Sequence, residues 1–250
     1  AGVDHEVLEA VPGHRMDAGE IAVLDRTGGR LRSDLAVRAA ARRAVELGAA
    51  LHPYVAVHGL EPARDGVRVH TAGGVERVDA AVVAAGPWTA GVLPDVGRLI
   101  TVKRLVNAWF EDTALGPAPV FLRLAPVHCY GVPAPDGVTV KIGLSRPHHR
   151  DVADPCRVDR DVGPAEVELL RELVADRFPG LDPDPVRLAA YVEGYTDDGH
   201  PLVCAHQADR RIVVLAGFSG HGFKWAPAIG DIAAEAVLAG AAPVLAPAPD

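Results

Sequence analysis

Cysteine is scarce in this sequence: the chain of 250 residues has three, Cys129, Cys156 and Cys204, and none belongs to a CxxC pair. An odd number of widely spaced cysteines predicts neither a disulfide framework nor a zinc site. Positive charge is also in the minority, because 25 lysines and arginines face 33 aspartates and glutamates, for a formal net charge of -8. Such a chain is not attracted to nucleic acid or to an acidic membrane, so a small molecule is the expected partner.

Long apolar runs are absent as well. No segment approaches the roughly 18 uninterrupted apolar residues of a membrane-spanning helix. The first residues, Ala-Gly-Val-Asp-His-Glu, lack the basic start and apolar stretch of a signal peptide. We therefore expect a cytoplasmic protein. With 49% hydrophobic and 23% charged residues, the chain has enough apolar side chains for a sizeable core.

Hydrophobic periodicity predicts an α/β protein. Apolar residues at helical spacing indicate helices over 33–47, 164–178 and 226–238, the last ended by Gly240. Short apolar or alternating runs between turn residues indicate strands over 50–57, 67–71, 78–85, 100–110, 120–124, 128–132, 138–144 and 211–216. The four strands between residues 100 and 144 should form one sheet, since no helix interrupts them. The continuously apolar run 78–85 should be buried on both faces.

The most informative stretch covers residues 215–230 and reads Leu-Ala-Gly-Phe-Ser-Gly-His-Gly-Phe-Lys-Trp-Ala-Pro-Ala-Ile-Gly. A buried strand leads into a loop with Gly217, Gly220 and Gly222, and a helix leaves it. Glycine permits positive φ and lets the backbone press against a flat ligand. The helix N-terminus supplies N–H groups and partial positive charge, which suit an anionic or electron-accepting edge. The spacing alone also fits a tight strand-to-helix turn without a ligand.

The string Gly-Phe-Ser-Gly-His-Gly-Phe-Lys, followed by Ala-Pro-Ala-Ile-Gly, resembles the flavin-contacting loop of sarcosine and N-methyltryptophan oxidases. Further matches follow the family's order over roughly 230 residues. They are Ala-Ala-Gly-Pro-Trp from 84, Tyr-Gly-Val-Pro from 130, Val-Lys-Ile-Gly-Leu from 140, Asp-Pro at 154 with Asp-Arg at 159, and Phe-Pro-Gly-Leu from 178. Similarity to these flavin-dependent amine oxidases, relatives of D-amino-acid oxidase, implies an incomplete Rossmann-like FAD-binding domain and a substrate domain on a mixed β-sheet.

The resemblance also implies domain boundaries. Residues 1–22 would end a substrate-domain segment, 23–98 would belong to the FAD-binding domain, 99–195 would form the substrate or catalytic domain, and 196–250 would return to the FAD-binding domain. Family members begin with a strand, a G-x-G-x-x-G turn and a helix that hold the FAD pyrophosphate, and about the first hundred residues of such a member are missing from this sequence. The nearest string, 220–225, has Trp225 at the third glycine position.

Two residues of the middle sheet are candidates for chemistry. Lys141 alternates with the apolar Val140 and Ile142 and shares its strand face with Gly143. A solvated sheet face is the ordinary explanation for such a lysine. The resemblance instead implies that Lys141 lies over the flavin ring and activates oxygen, with Gly143 leaving the ring room. Tyr130 matches a family tyrosine that lines the substrate cavity, although an ordinary strand tyrosine is the alternative.

The glycine loop contributes further candidates. By the same resemblance, Lys224 would pair with the carboxylate of an amino-acid substrate, and a compact cation there suits an anion. His221 would orient a flavin or substrate atom, unless it is only a hydrogen-bonded structural residue. For Trp88 a place in the core is the alternative to flavin contact. The resemblance assigns flavin contact to Val57, Gly86, Trp88, Gly217, Gly220, Gly222, Phe223 and Lys224.

In the best-known members, a cysteine just upstream of a Thr-x-Asp-x-His stretch joins the flavin covalently. That stretch begins here at Thr196, and counting back places Tyr191 at or near the cysteine position. We therefore expect FAD to be held without a covalent bond. Glu193, where relatives commonly place an aromatic, and Ser145, where several have histidine, indicate a substrate pocket altered from that for sarcosine.

The expected function is FAD-dependent oxidation of a secondary amine, such as an N-substituted or cyclic amino acid, with no metal involved. Hydride would pass from the carbon next to nitrogen to the flavin, and O2 would reoxidise the flavin to give H2O2. Two alternatives stay open. The chain could be a non-catalytic or accessory protein, either a binding module without FAD or half of an oxidase whose other polypeptide carries the dinucleotide-binding segment. It could also be a flavin-dependent dehydrogenase.

Overall fold

The computed structural model describes residue 2, residues 4–113 and residues 119–239. Its helices are α1 (Ser33–Glu46), α2 (Thr89–Val92), α3 (Pro94–Gly97), α4 (Pro164–Arg177) and α5 (Gly222–Ala239). Its strands are β1 (His5–Leu8), β2 (Ala22–Asp25), β3 (Val57–Ala63), β4 (Gly66–Thr71), β5 (Gly74–Val78), β6 (Ala81–Val83), β7 (Thr101–Glu111), β8 (Phe121–Arg123), β9 (Cys129–Pro133), β10 (Thr139–Leu144), β11 (Arg150–Asp151), β12 (Arg187–Tyr195), β13 (Leu202–Ala205) and β14 (Ile212–Ala216). In this part of the chain no helix is both long and apolar enough to cross a membrane.

The largest sheet has the strand order β11-β7-β10-β9-β8, and β12 also pairs with β7. The pairs β7-β10, β10-β9 and β9-β8 are antiparallel. This confirms the prediction that the strands between residues 100 and 144 form one sheet. Alternating hydrophobic side chains are the cause, because a strand with one apolar face can bury that face only as part of a larger layer.

The described residues divide into two compact units. The first takes in those within Ala1–Ala39, Leu105–Arg150 and Asp159–Tyr191. Its core lies between the sheet and α4, and the predicted helix over 164–178 is confirmed almost to the residue. The largest fully buried side chains of this core are Phe110, Val140, Ile142, Leu170, Val174 and Phe178.

Arg123, at the end of β8, ties the first part of the chain to the sheet of the first unit. Its buried guanidinium donates to Glu20 Oε2 at 2.6 Å, to the Arg15 carbonyl at 3.0 Å and to the Ala125 carbonyl at 3.0 Å. A buried arginine is tolerated only when its donors are matched in this way.

The second unit takes in the described residues of Ala40–Arg104, Asp151–Val158 and Val192–Asp250. Its central strand, β14, is buried along its whole length, as the sequence predicted. Ile212, Val214 and Ala216 enter one hydrophobic cluster, while Val213 and Leu215 enter another with α5. β14 pairs with β13 antiparallel and with β6 parallel, which makes a mixed three-stranded sheet. A separate antiparallel sheet joins β3, β4 and β5.

Two predicted strands are wrong in extent. Residues 50–56 form no strand: a turn lies at Pro53 and Tyr54, proline has no N–H to donate to a ladder, and Tyr54 adopts a φ of 65°. The run 78–85 is divided, since Val78 ends β5 and only Ala81–Val83 pairs as β6. Val82 is 44% exposed, so β6 is not buried on both faces as predicted.

The helices α1 and α5 also depart from expectation. Helix α1 occupies the predicted residues, but none of its side chains is buried, and Val37 is 60% exposed. Helix α5 begins at Gly222, four residues before the predicted start, which leaves Pro227 inside it. Proline there removes only one helical hydrogen bond near an end where several N–H groups lack partners anyway. The predicted stop, Gly240, lies outside the described residues.

The core of the first unit can be tested with neighbouring leucines of α4. Leu170→Ala is expected to lower the free energy of unfolding by about 2 to 5 kcal/mol, because it leaves a cavity at a side chain that is 1% exposed. Leu169→Ala, at a side chain that is 40% exposed, should cost less than about 1 kcal/mol. Urea unfolding followed by circular dichroism measures both, and equal losses would contradict the placement of α4.

Candidate functional site

A hydrogen bond crosses three neighbouring strands of the first unit. Asn107 on β7 and Tyr130 on β9 both lie directly opposite Gly143 on β10. The Tyr130 hydroxyl donates to Asn107 Oδ1 at 2.7 Å. A Cβ added at residue 143 would lie 2.5 Å from the Tyr130 hydroxyl and also inside contact distance of Asn107 Oδ1. The space at Gly143, which the resemblance assigned to a flavin ring, therefore holds the Tyr130–Asn107 hydrogen bond.

Lys141 is two residues before Gly143 and therefore lies on the same side of β10. It pairs with Trp109 on β7 and with Val132 on β9, and its Nζ is 5.7 Å from the centroid of the Tyr130 ring. Its side chain is partly buried, whereas Val140 and Ile142 point into the core, as predicted. Asn107, Trp109, Tyr130 and Lys141 together form a surface that we call the polar face. A cation held beside aromatic rings in this way is suited to bind or stabilise an anion.

A cavity of about 360 Å³ lies on the core side of the same strand, where Val140 lines it. Its walls are mainly apolar, and His14 contacts Phe121 and Phe178 edge to face at 4.6 Å and 5.1 Å between ring centroids. Burial lowers the pKa of His14 below its ordinary range, with Arg123 acting in the same direction. Because strand neighbours face opposite sides, this cavity and the polar face are separate features of the first unit.

In the second unit, the glycine loop leaves β14 with three residues at positive φ: Gly217 at 64°, Ser219 at 52° and Gly220 at 85°. Hydrogen bonds fasten the loop to the end of β12. The Ser219 N–H donates to the Gly194 carbonyl at 3.1 Å, and the Thr196 N–H donates to the Ser219 hydroxyl at 3.3 Å. The loop is also shorter than predicted, since Gly222, Phe223 and Lys224 already belong to the first turn of α5.

The loop glycines serve the packing of the chain itself. A Cβ at Gly217 would lie 2.6 Å from Thr196 Cγ2, and one at Gly222 would lie 3.0 Å from Phe218. The expected positive φ is present at Gly217 and Gly220 but is absent from Gly222. Gly86 is different, because its φ is +52° and no atom lies within 4 Å of its added Cβ. Of these four glycines, only Gly86 borders open space on its Cβ side.

Two ionisable side chains flank His221. Lys224 is exposed, and its Nζ lies 5.6 Å from the Trp225 ring centroid. Glu193, on β12, accepts a hydrogen bond from the Tyr195 hydroxyl at 2.7 Å. Burial lowers the pKa of His221 below 6.5, Lys224 lowers it further, and Glu193 works in the opposite direction. His221 is consequently a neutral imidazole at neutral pH, able to donate from one ring nitrogen and accept at the other.

The predicted site residues fall into two sets. Tyr130 and Lys141 meet on the polar face of the first unit, and the remaining candidates belong to the second unit. Trp88 and Phe223 are each 43% exposed and Val57 is 38% exposed, so the alternative that places Trp88 in the core is wrong. Sequence reasoning missed Asn107, a buried polar residue within an apolar strand, and it missed Tyr195, which shares a strand face with Glu193.

Two of the three cysteines, Cys129 and Cys204, are poor nucleophiles because burial disfavours their thiolate forms. Cys129 is fully buried, and desolvation raises the pKa of its thiol to about 11. Burial also raises the pKa of Cys204, and Cys156 is exposed. Tyr191, at the position matched to the flavin-linking cysteine, is 39% exposed on β12. Within the part of the chain that the structure describes, no group of three His, Cys, Asp or Glu side chains is placed to hold a metal ion.

Comparisons with known proteins show the family and the fold of the chain. Residues 2–236 match the family model described as DAO, FAD dependent oxidoreductase. The chain is 31% identical over 94% of its length to a monomeric sarcosine oxidase of Streptomyces avermitilis, and 35% identical over 94% to the peroxisomal sarcosine oxidase of Mus musculus. It spans 65% and 64% of those two relatives. NikD, an amino acid oxidase essential for nikkomycin biosynthesis, has the same fold, with a TM-score of 0.81 at 23% identity over 99% of this chain and 67% of its own.

Gly143→Ala tests the contact between Tyr130 and Asn107. The added methyl must displace both side chains, so the free energy of unfolding should fall by about 1 to 3 kcal/mol and the near-ultraviolet circular dichroism of packed aromatic rings should weaken. Gly91→Ala, in α2, is the control, because no atom lies within 4 Å of its added Cβ and alanine favours a helix. An unchanged near-ultraviolet spectrum for Gly143→Ala would contradict the geometry of the polar face.

Proposed function

The chain belongs to the DAO family of FAD dependent oxidoreductases, and on that premise we propose that it oxidises a secondary amine, an N-substituted or cyclic amino acid. The observation that carries the proposal is the pairing of Lys141 with Tyr130 on the polar face, at the positions where the resemblance expects oxygen activation and substrate contact. The two sarcosine oxidases that resemble most of this chain support an N-methyl amino acid as the kind of substrate.

The residues of the second unit fit a flavin. Gly86 borders open space, Trp88 and Phe223 present exposed rings, and the backbone N–H groups of the first turn of α5 have no helical partners. A flat, partly apolar ring with an anionic edge satisfies all of these groups. FAD, when bound, supplies the acceptor for a hydride from the carbon next to nitrogen, and its reoxidation by O2 gives H2O2.

Lys141 provides a fixed positive charge for the oxygen step. Its ammonium is partly buried beside the Tyr130 ring, where water screens its field less than it would in bulk solvent. An ammonium held in place before the reaction stabilises the negative charge that develops when O2 accepts an electron. The alternative, a merely solvated strand lysine, predicts no effect of Lys141 on oxygen consumption.

In this proposal Lys224 binds the substrate carboxylate. Lys224 is an exposed cation in the first turn of α5, and among the described residues no carboxylate forms an ion pair with it. The Tyr130 hydroxyl donates its hydrogen bond to Asn107 Oδ1, so donation to a carboxylate requires the Asn107 amide to turn and present its NH2 group to the phenol oxygen. Asn107 is then a positioning residue that decides where the phenol proton points. The neutral imidazole of His221 orients a flavin or substrate atom.

A dinucleotide-binding segment is the partner that these residues require. The sequence has no strand, G-x-G-x-x-G turn and helix in the family's order. Helix α1 leaves Leu35, Val37 and Val45 about half or more exposed, and β6 leaves Val82 exposed. Large apolar side chains left this exposed favour cover by another packed segment. We propose that this segment supplies the missing phosphate contacts.

FAD is proposed to be non-covalent, because β12 has no cysteine and the thiol of Cys129 is buried with a pKa of about 11. Acid denaturation of the yellow protein is therefore expected to release all flavin into the supernatant. Flavin fluorescence that stays with the precipitated polypeptide through washing would refute non-covalent attachment.

The oxidase reaction can be divided into its two halves with the full gene product. The protein should be isolated yellow, should bleach without oxygen when an N-methyl amino acid is added, and should form H2O2 when oxygen returns. Lys141→Met is expected to slow the oxygen step by about 100-fold or more while bleaching stays within about threefold, because charge is lost only where the anion develops. Stopped-flow absorbance measures each half separately.

Lys103→Met is the matched control, since Lys103 also lies in the large sheet but pairs with Asp151. It should leave both halves nearly unchanged. Bleaching without oxygen consumption in the wild-type protein would favour a dehydrogenase. A colourless protein that turns yellow only with a co-expressed dinucleotide-binding polypeptide would favour an accessory subunit. A flavoprotein that no secondary amine bleaches would overturn the proposed function.

A further inference from the structure

Glu193 is a carboxylate on the strand that borders the glycine loop. It is partly exposed on β12, and the hydroxyl of Tyr195 donates to its Oε2 at 2.7 Å. Tyr195 itself is only 4% exposed. Residues two apart point to the same side of a strand, so this hydrogen bond holds the carboxylate on one face of β12. Neither residue is used in the amine oxidation described above.

The carboxylate lies against the loop at Gly220. A Cβ added at residue 220 would be 3.3 Å from Glu193 Oε2 and 3.6 Å from the Tyr195 hydroxyl. The neighbouring loop residue is fixed to the same strand, because the Ser219 N–H donates to the Gly194 carbonyl at 3.1 Å. Gly220 is exposed. Glu193 therefore presents a negative charge at a fixed and accessible part of the loop.

Opposite charges thus border one loop. Lys224 carries the cation in the first turn of α5, and Glu193 carries the anion on β12. Both charges act on the pKa of His221, Lys224 lowering it and Glu193 raising it. A ligand with only a carboxylate is attracted by one of these groups and repelled by the other, whereas a ligand with an added cation is attracted by both.

We propose that Glu193 selects substrates that carry a second cationic group, distant from the reacting amine. The inference rests on the proposed function and adds the substrate class: a basic N-substituted amino acid, such as one with an aminoalkyl side chain. Lys224 binds the carboxylate of this substrate, and Glu193 binds its distal ammonium. Because Tyr195 holds the carboxylate in place, the cation meets an oriented partner and not a freely rotating one.

Racemic Nα-methyllysine and N-methyl-2-aminoheptanoic acid form a matched pair of probes, since their side chains have the same length and the first ends in an ammonium where the second ends in a methyl group. With the flavin-loaded full gene product, kcat/KM should favour Nα-methyllysine by about tenfold or more. Glu193→Gln should reduce this preference to within about twofold, mainly by losing activity on the lysine compound.

Three further measurements separate charge from structure. Glutamine at position 193 can still accept the Tyr195 hydrogen bond, so Glu193→Gln should keep the wild-type unfolding midpoint. Tyr195→Phe removes the hydrogen bond but keeps the charge, and it should keep most of the preference. Glu76→Gln, on the exposed part of β5, is the control for loss of one negative charge and should behave as wild type.

The outcomes distinguish the inference from the function on which it rests. If both probes are oxidised and Glu193→Gln leaves the preference for Nα-methyllysine unchanged, selection by Glu193 is overturned. The proposal of amine oxidation then still stands. An equal loss of preference in Glu193→Gln and Tyr195→Phe points to a disturbed loop and also overturns it. If the flavoprotein oxidises neither probe and no other secondary amine, both proposals fail.

Discussion

Burial of β14 on both faces is the constraint on which the second unit depends. Ile212, Val214 and Ala216 fill one hydrophobic cluster and Val213 and Leu215 fill the other, so the strand cannot slip by one residue without exchanging both sets. The chain that leaves such a strand has a fixed starting point and direction. Gly217 and Gly220 then turn the backbone through positive φ, and α5 packs back through Ala233 and Ala236. Because β14, the loop and α5 follow one another in this way, the position of Lys224 in the first turn of α5 is fixed relative to β14.

At the polar face and at the glycine loop, the missing side chain of a glycine leaves space that another residue occupies. At Gly143 the volume is taken by Tyr130 and Asn107, at Gly217 by Thr196, and at Gly222 by Phe218. In each place the missing side chain makes a close contact within the protein possible. Pattern alone suggests that glycine clears space for a cofactor. Packing shows that such space is often occupied by the side chains that line the site.

The sequence predicts the middle strands, α4 and β14 well, because each has a strong period or a continuous apolar run bounded by turn residues. It fails at residues 50–56, where Pro53 and the positive φ of Tyr54 outweigh β-branched neighbours, and at the start of α5, where the helix begins four residues before the predicted start and includes Pro227. Alternation along β10 puts Lys141 on the polar face. The partnership of Tyr130 with Asn107 depends on the register between strands that are far apart in sequence, and no local pattern contains it.

Lysine and arginine have different roles in this chain: the arginines make structural contacts, and two of the lysines lie at the candidate sites. Buried or half-buried arginines such as Arg123 and Arg211 bind carboxylates and carbonyls with several N–H groups at once, which suits a structural task. The lysines of this sequence are Lys103, Lys141 and Lys224. Lys103 pairs with Asp151, while Lys141 and Lys224 each lie beside an aromatic ring at one of the two candidate surfaces. A compact ammonium concentrates its charge at one point and stabilises a small anion such as reduced oxygen without the planar geometry that a guanidinium imposes. In a chain that otherwise relies on arginine, the placement of these two lysines is itself an argument for chemistry at both surfaces.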